Sequence, residues 1–282
     1  MNNSEAWNGD VSGLLKWIYR CADKSSWYGD VVDAYDRTRP RYPAQLLDKV
    51  REIAGFQPNQ KVLEIGCGPG IATVELAKLG LEIVAIEPNL TACQLARQKC
   101  ANYPRVKFVN STFEEWESGE DKFDVVVATT SFHWVTPEIR TIKTASILKE
   151  DGYLVLLWNT PPQPNAEAIK ELAPVYRVHA PELAQQESLQ NHEQIIAKFG
   201  AEVIDSGYYR DLIYDRAICE VNYTVDEYLT LLTTLSPYIR LEASQRDTLL
   251  IELKEVLRSK YGDRLQLSYL SMFQIACKVS DR

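Results

Sequence analysis

A glycine-rich turn between a predicted strand and a predicted helix constrains the fold of this chain more than any other feature. Residues 62–73 read VLEIGCGPGIAT, an apolar run followed by three closely spaced glycines and the start of a helical pattern. Glycine adopts backbone angles that other residues avoid, and its missing side chain lets a ligand approach the main chain. The first N–H groups of the following helix add partial positive charge. The turn therefore favours an adenosine-type ligand with an anionic group, and a tight turn without a ligand is the alternative.

An acidic residue follows the next predicted strand. Glu87 comes directly after the apolar run at residues 82–86, seventeen residues beyond Gly70. A carboxylate at this place in a β-α-β unit accepts hydrogen bonds from ribose hydroxyls. We therefore predict that Glu87 binds a ribose. The alternative is a surface acid beside the turn-forming Pro88.

The spacing of the glycines narrows the choice of ligand. The dinucleotide fingerprint is G-x-G-x-x-G/A, and Ile71 occupies its third position here. The chain instead reads G-x-G-x-G at Gly66, Gly68 and Gly70. With Glu64 before the glycines and the acid after the next strand, this pattern resembles class I methyltransferases that depend on S-adenosylmethionine (SAM).

The resemblance extends over roughly residues 33–160. FDVVVATT at 123–130 is similar to the fourth strand of that family, and SFHWV at 131–135 follows it, as in one branch of the family. YLVLLWN at 153–159 is similar to the fifth strand. Upstream, YDRTRPRYP at 35–43 resembles the corresponding segment of the type 11 and trans-aconitate-methyltransferase-like small-molecule methyltransferases.

Strands and helices alternate through the first half of the chain, which predicts parallel β-α-β units with right-handed crossovers. The predicted strands are 61–66, 82–87, 106–110, 123–128 and 153–158. The predicted helices are 44–54, 71–79, 90–101 and 138–149. The resemblance implies a Rossmann-like α/β fold with a seven-stranded methyltransferase sheet, mostly parallel with one antiparallel strand, and helical lid insertions.

The rest of the chain is expected to complete that sheet within the same domain. We predict an N-terminal helical lid at 1–42, a SAM-binding core at 43–160, and cap insertions at about 161–200 and 224–262 within the remainder, 161–282. In this remainder, the predicted helices are 166–178, 190–199 with Gly200 as a C-cap, 226–235 with Thr224 as an N-cap, and 242–260. The predicted strands are a region within 203–223 and a last strand at 269–278.

The site residues follow from topology and from the resemblance. Ligands of open α/β sheets bind outside the carboxyl ends of the strands. By resemblance, Glu64 supports the glycine loop or the SAM amino group, and Arg39 meets the SAM carboxylate, with plain salt-bridge roles as the alternatives. Thr112 and Phe113 are expected to border the adenine. The predicted cofactor-binding residues are Arg39, Glu64, Gly66, Gly68, Gly70, Glu87, Pro88, Thr112, Phe113 and Thr129.

His133 is the candidate catalytic residue, because it follows the fourth predicted strand and has an ordinary pKa near neutrality. Its alternative role is packing beside Trp134. Methyl transfer is an in-line displacement that mainly requires alignment and exclusion of water. A general base is needed only if the nucleophile keeps its proton at neutral pH.

Composition excludes several classes of protein. The 282 residues carry a net charge of −8, which argues against a general nucleic-acid binder. No apolar run reaches the length of a membrane span, and no signal peptide is visible, so we expect a cytoplasmic protein without a membrane partner. The six cysteines form no C-x-x-C pair or zinc spacing, and we expect no metal, since hard cations prefer clustered carboxylates.

The sequence thus favours a SAM-dependent methyltransferase that acts on a small organic molecule. A non-catalytic SAM-binding protein and an NAD(P)-dependent oxidoreductase are the alternatives. The acceptor atom, whether oxygen, nitrogen or carbon, and the oligomeric state are not specified by these patterns.

We predict that the protein binds SAM and S-adenosylhomocysteine and does not bind NADH, because of the glycine spacing and Glu87. Titration calorimetry with each ligand measures this directly. Tighter binding of NADH than of SAM would favour the oxidoreductase alternative.

Overall fold

The computed structural model describes residues 29–184 and 188–280. The first 28 residues, which form most of the predicted N-terminal lid, lie outside this described part. The chain forms two compact units. The core unit contains residues 41–160, 193–218 and 270–280, and the helical unit contains residues 29–40, the described part of 161–192, and 219–269.

A seven-stranded sheet organises the chain, with the strand order β3-β2-β1-β4-β5-β7-β6. The strands are β1 (Lys61–Ile65), β2 (Glu82–Ile86), β3 (Val106–Val109), β4 (Phe123–Thr129), β5 (Leu148–Asn159), β6 (Tyr209–Thr224) and β7 (Arg264–Lys278). Strands β1 to β5 pair in parallel. Strand β7 runs antiparallel to β5, from Tyr153 opposite Cys277 to Asn159 opposite Ser271. The predicted mixed seven-stranded sheet is confirmed.

The central strands are apolar because both faces of a parallel sheet are covered. Burial of these side chains supplies the main stabilisation of the core unit. The buried side chains there include Val62, Ile83, Val125, Val127, Val155 and Leu157. The helices of this unit are α2 (Ala44–Ile53), α3 (Ile71–Ala77), α4 (Leu90–Lys99), α5 (Pro137–Ile147) and most of α7 (Leu189–Asp205).

Local sequence signals set several of these helix starts. The Asn89 side chain accepts a hydrogen bond from the Ala92 N–H at 2.9 Å and caps α4. Proline at the first position of α5 is favoured because the N–H it lacks would have no intrahelical partner there. Both starts lie where the sequence predicts them, within a residue.

The helical unit has its own apolar core. Its helices are α1 (Val32–Thr38), α6 (Ala166–His179), α8 (Val225–Thr233), α9 (Ser236–Ile239) and α10 (Ala243–Tyr261). Its fully buried side chains include Leu172, Tyr176, Leu231, Leu249, Leu253 and Leu257. Thr224 caps α8 as predicted, in a reciprocal capping box with Glu227. No helix in the described ranges is long and apolar enough to cross a membrane.

Several element boundaries differ from the sequence prediction, and the largest differences among the strands are at the starts of β5 and β7. Strand β5 begins at Leu148, which pairs with Phe123, so α5 ends two residues earlier than predicted. The pairing of β4 with β5 shifts its register between Phe123 and Val125, and Asp151 on β5 has a left-handed backbone with φ of 57°. These two irregularities let β5 include residues 148–152, which precede the predicted start of the strand. Strand β7 begins at Arg264, five residues earlier than predicted.

The predicted C-cap role of Gly200 is wrong, because α7 continues through this residue to Asp205. A Cβ at Gly200 would overlap Gln274 Nε2 and lie 3.0 Å from Leu212 Cδ2. Glycine is therefore required for close packing against β6 and β7. The continued helix also explains why β6 begins only at Tyr209.

We predict that Gly200→Ala destabilises the protein, although alanine is the better helix former, because overpacking costs about 1–3 kcal/mol. Urea unfolding of the variant measures the loss. Lys198→Ala, an exposed change on the same helix, is the matched control. Equal stability of the Gly200→Ala variant and the wild type would show that Gln274 moves aside without cost.

Candidate functional site

The turn between β1 and α3 forms a loop at the carboxyl edge of the sheet. Its three glycines all have positive φ, at 64° for Gly66, 54° for Gly68 and 80° for Gly70. The Cys67 N–H donates to Ile86 O at 3.0 Å, so the loop is attached to the end of β2. We call residues 66–70 the glycine loop.

The three glycines are required for different reasons. A Cβ at Gly66 would lie 2.7 Å from Ser131 Cβ, and one at Gly70 would lie 3.1 Å from Ala96 Cβ. Both positions therefore allow close packing within the protein. A Cβ at Gly68 would meet no atom within 4 Å. The tip of the loop thus faces open space, and its backbone is accessible to a ligand.

Glu87 is bound to the glycine loop. One carboxylate oxygen accepts the Gly68 N–H at 2.8 Å, and the other accepts the Asn89 N–H at 2.8 Å. Burial raises the pKa of Glu87, and the two N–H donors oppose that rise. An ionised carboxylate offers about four lone-pair sites, so both oxygens retain capacity for ligand hydroxyls. Asn110 supports this corner by donating to Glu87 O at 2.9 Å and to Pro88 O at 2.8 Å.

Glu64 lies fully buried beneath the same loop. Its Oε1 accepts from Thr129 Oγ1 at 3.2 Å. The Thr73 hydroxyl is buried next to the same carboxyl, and hydrogen bonding from Thr73 and Thr129 opposes a rise in the pKa of Glu64. Burial raises the pKa of Glu64 to about 7. The two threonine hydroxyls thus satisfy part of the hydrogen-bonding capacity of Glu64, and its contact with the SAM amino group stays a prediction.

The hydroxyls after β4 connect this strand end to its neighbours. Thr129 donates to Glu64, and Ser131 donates to Ile65 O at the start of the glycine loop. Thr130 lies between them with φ of 54°. A left-handed backbone is a genuine outlier for a β-branched residue, and such strain costs about 1–3 kcal/mol and clusters at functional sites.

His133 lies on a short 3-10 helix, Phe132–Trp134, that follows β4. Its ring centroid is 4.8 Å from that of Trp134, 5.7 Å from that of Trp158 and 6.4 Å from that of Phe199. Trp158 is fixed in turn, because its Nε1 donates to Gln274 Oε1 at 3.2 Å. His133 and Trp134 are half-buried. The packing role of His133 is thus present in the structure, and its role as a base stays a prediction.

Thr112 and Phe113 follow β3, as the sequence indicates. The Thr112 hydroxyl accepts the Glu115 N–H at 3.2 Å. The Phe113 ring is buried beneath the Lys143 ammonium, 5.0 Å from the ring centroid. Lys143 also donates to Phe113 O at 2.6 Å, so this segment is held rigidly. The contact of these two residues with adenine stays a prediction.

Arg39 belongs to the helical unit, where it caps α8. Its Nε donates to Thr234 Oγ1 at 3.0 Å and its Nη2 donates to Thr234 O at 2.9 Å. The guanidinium carbon lies 4.6 Å from the centroid of the Tyr35 ring. A cation at the carboxyl end of a helix is favourable. Arg39 thus has a structural role, and its contact with the SAM carboxylate stays a prediction.

Sequence reasoning gave no role to Asn110, Ser131 or Thr130. Each follows the end of a strand, which is the one signal that pointed to them. Their roles depend on which backbone atoms the strand pairing brings within reach.

No cluster of three or more His, Cys, Asp or Glu side chains suited to a metal occurs among residues 29–184 and 188–280, and metal independence stays a prediction.

We predict that Glu64 makes stability depend on pH. Its folded pKa of about 7 lies above the ordinary value of 4.5, so the unfolded state releases its proton first and stability falls as pH rises between these values. Glu64→Gln should gain about 3 kcal/mol relative to the wild type over this range.

Urea unfolding at several pH values from 4.5 to 8 measures the difference between the two proteins. Glu52→Gln, on the exposed side of α2, controls for the amide substitution itself. Parallel stability curves for the wild type and Glu64→Gln would mean that Glu64 stays ionised.

Known methyltransferases are similar to this chain in sequence and in fold. A family model described as a methyltransferase domain matches residues 35–206. Rv3342 of Mycobacterium tuberculosis, named an uncharacterized methyltransferase, is 33% identical over 138 residues, which cover 49% of this chain and 54% of that protein. The chain thus spans about half the length of this relative.

Two further comparisons cover more of the chain. C25B8.10 of Schizosaccharomyces pombe, named an uncharacterized methyltransferase-like protein, is 24% identical over 257 residues, covering 89% of this chain and 94% of that protein. A solved candidate type II methyltransferase of Anaeromyxobacter dehalogenans has the same fold, with a TM-score of 0.61 at 19% identity over 85% of this chain and 97% of that one. Because the family model matches more than half of the residues, the chain belongs to the methyltransferase-domain family.

Proposed function

We propose that this protein is a SAM-dependent methyltransferase that acts on a small organic acceptor. The observation that carries the proposal is the pairing of an open backbone at Gly68 with a buried carboxylate at Glu87. Membership of the methyltransferase-domain family supports the same activity.

The residues of the core unit fit SAM. Glu87 would accept the ribose hydroxyls through its two carboxylate oxygens, and Glu64 would support the glycine loop or meet the SAM amino group. The sequence resemblance adds Thr112 and Phe113 beside the adenine. The wider proposed set includes Arg39 at the carboxylate and the flanking positions Gly66, Gly70, Pro88 and Thr129.

SAM supplies a methyl group on a positively charged sulfur, which a nucleophile displaces in line. The residues of this chain would align the two reactants and exclude water. His133 would hold or accept the acceptor's proton if the nucleophile is protonated at neutral pH. Its half-buried ring beside Trp134 and Trp158 lies just after the end of β4, where the resemblance implies that the acceptor meets the methyl group.

The acceptor is proposed to be partly apolar, because aromatic rings surround the end of β4. The net charge of −8 argues against nucleic acid as the acceptor. Five cysteines of the described part form no disulfide, which supports the reducing cytoplasm as the compartment. A non-catalytic SAM-binding protein is the main alternative, and an NAD(P)-dependent oxidoreductase is the weaker one.

We predict that Glu87→Gln weakens SAM binding by about 10-fold to 100-fold, since a hydrogen bond to a charged group contributes about 1.5–3 kcal/mol. Titration calorimetry with SAM and S-adenosylhomocysteine measures this loss. Glu82→Gln, at the opposite end of the same strand, is the matched control. Unchanged affinity of the Glu87 variant would place the ribose contact elsewhere.

Turnover separates the enzyme from a non-catalytic binding protein. Incubation with radiolabelled SAM and fractionated metabolite pools should transfer label to an acceptor. Tight SAM binding with no labelled product in any pool would favour the non-catalytic alternative.

A further inference from the structure

Thr130 has the most unusual backbone of the core unit's carboxyl edge. Four non-glycine residues in the described part have positive φ, namely Asn59, Thr130, Asp151 and Asp211. Asparagine and aspartate tolerate this conformation because their short polar side chains bond locally. Threonine does not share that tolerance, because its branched Cβ crowds the backbone. The surrounding contacts must therefore hold Thr130 in place.

Three hydrogen bonds hold it. The Thr130 N–H donates to Leu157 O at 2.7 Å, and the Asn159 N–H donates to Thr130 Oγ1 at 3.1 Å. The same Oγ1 lies 2.9 Å from the Tyr42 hydroxyl. The single hydroxyl thus joins the end of β4 to the end of β5 and to the segment before α2.

The two neighbours of Thr130 in the chain hold the proposed SAM site. Thr129 on one side bonds to Glu64, and Ser131 on the other bonds to Ile65 O. Ser131 also packs directly against Gly66, where no Cβ fits. A change in the backbone at Thr130 would therefore move both the Glu64 contact and the glycine loop.

We propose that Thr130 is a positioning residue for the SAM site, with Tyr42 as its partner. Its hydroxyl keeps the left-handed turn, and the turn keeps Thr129 and Ser131 against Glu64 and the glycine loop. The inference rests on the proposed function. It gives a role to the strained backbone at Thr130.

The test compares SAM affinity among variants of the full chain by titration calorimetry. Thr130→Val keeps the branched shape and removes the hydroxyl, and it should weaken SAM binding about 10-fold, because the turn that positions Thr129 and Ser131 loses the hydrogen bonds of the hydroxyl. Tyr42→Phe should weaken binding less, because Asn159 still holds Oγ1. Thr130→Ser keeps the hydroxyl, so its SAM affinity should be close to that of the wild type.

The core unit offers a matched control pair. Thr144 is a buried threonine on α5 whose Oγ1 accepts the Tyr209 hydroxyl at 2.7 Å. Thr144→Val and Tyr209→Phe remove the same kind of hydrogen bond away from the site. They should lower the thermal midpoint while leaving SAM affinity unchanged.

Two outcomes would overturn the inference. One is SAM affinity of Thr130→Val within about twofold of the wild type, and the other is an equal loss in Thr144→Val. If Thr130→Val fails to fold, Tyr42→Phe and Thr130→Ser decide, since unchanged affinity in the first or lost affinity in the second contradicts the inference. A wild type that does not bind SAM would instead refute the proposed function, and the inference with it.

Discussion

The structure of the core unit depends on how closely the glycine loop approaches its neighbours. Gly66 packs against Ser131 and Gly70 against Ala96 at distances that leave no room for a Cβ. Because the interior of a protein is densely packed, a side chain at Gly66 would displace the segment after β4, and one at Gly70 would displace α4. The close approach brings Glu87 within hydrogen-bond distance of Gly68. The geometry of the proposed site therefore depends on the close packing of the glycine loop.

This packing buries two carboxylates at one edge of the sheet, and they differ in how they are satisfied. Both oxygens of Glu87 accept backbone N–H groups, whereas the donors to Glu64 are the side-chain hydroxyls of Thr129 and Thr73. Desolvation raises both pKa values, and only Glu87 gains two N–H donors in return. Hydroxyl and ammonium groups of a ligand would donate to the lone pairs of these two carboxylates that no protein donor uses.

The hydroxyl residues after β4 illustrate how a strand end becomes part of a site. Thr129, Thr130 and Ser131 carry short neutral side chains, each with one donor and two acceptor lone pairs. Their different directions along a turning backbone let them reach three different neighbours. In the other unit, Arg39 also satisfies protein groups, at the carboxyl end of α8. Thr129 and Arg39 were predicted to contact the ligand. All four residues make hydrogen bonds within the protein.

The sequence by itself determined the five parallel strands, the glycine loop and the acid after β2, because periodicity, glycine spacing and capping residues are local signals. The complete seven-stranded mixed sheet was an expectation from the family resemblance. It also placed the capping box at Thr224 correctly. It did not determine the role of Gly200, whose helical position depends on Gln274 some seventy residues away. The strain at Thr130 was equally hidden, since it arises from partners on β5 and at Tyr42. Tertiary structure decided these features because close packing and hydrogen bonding join residues that are distant along the chain.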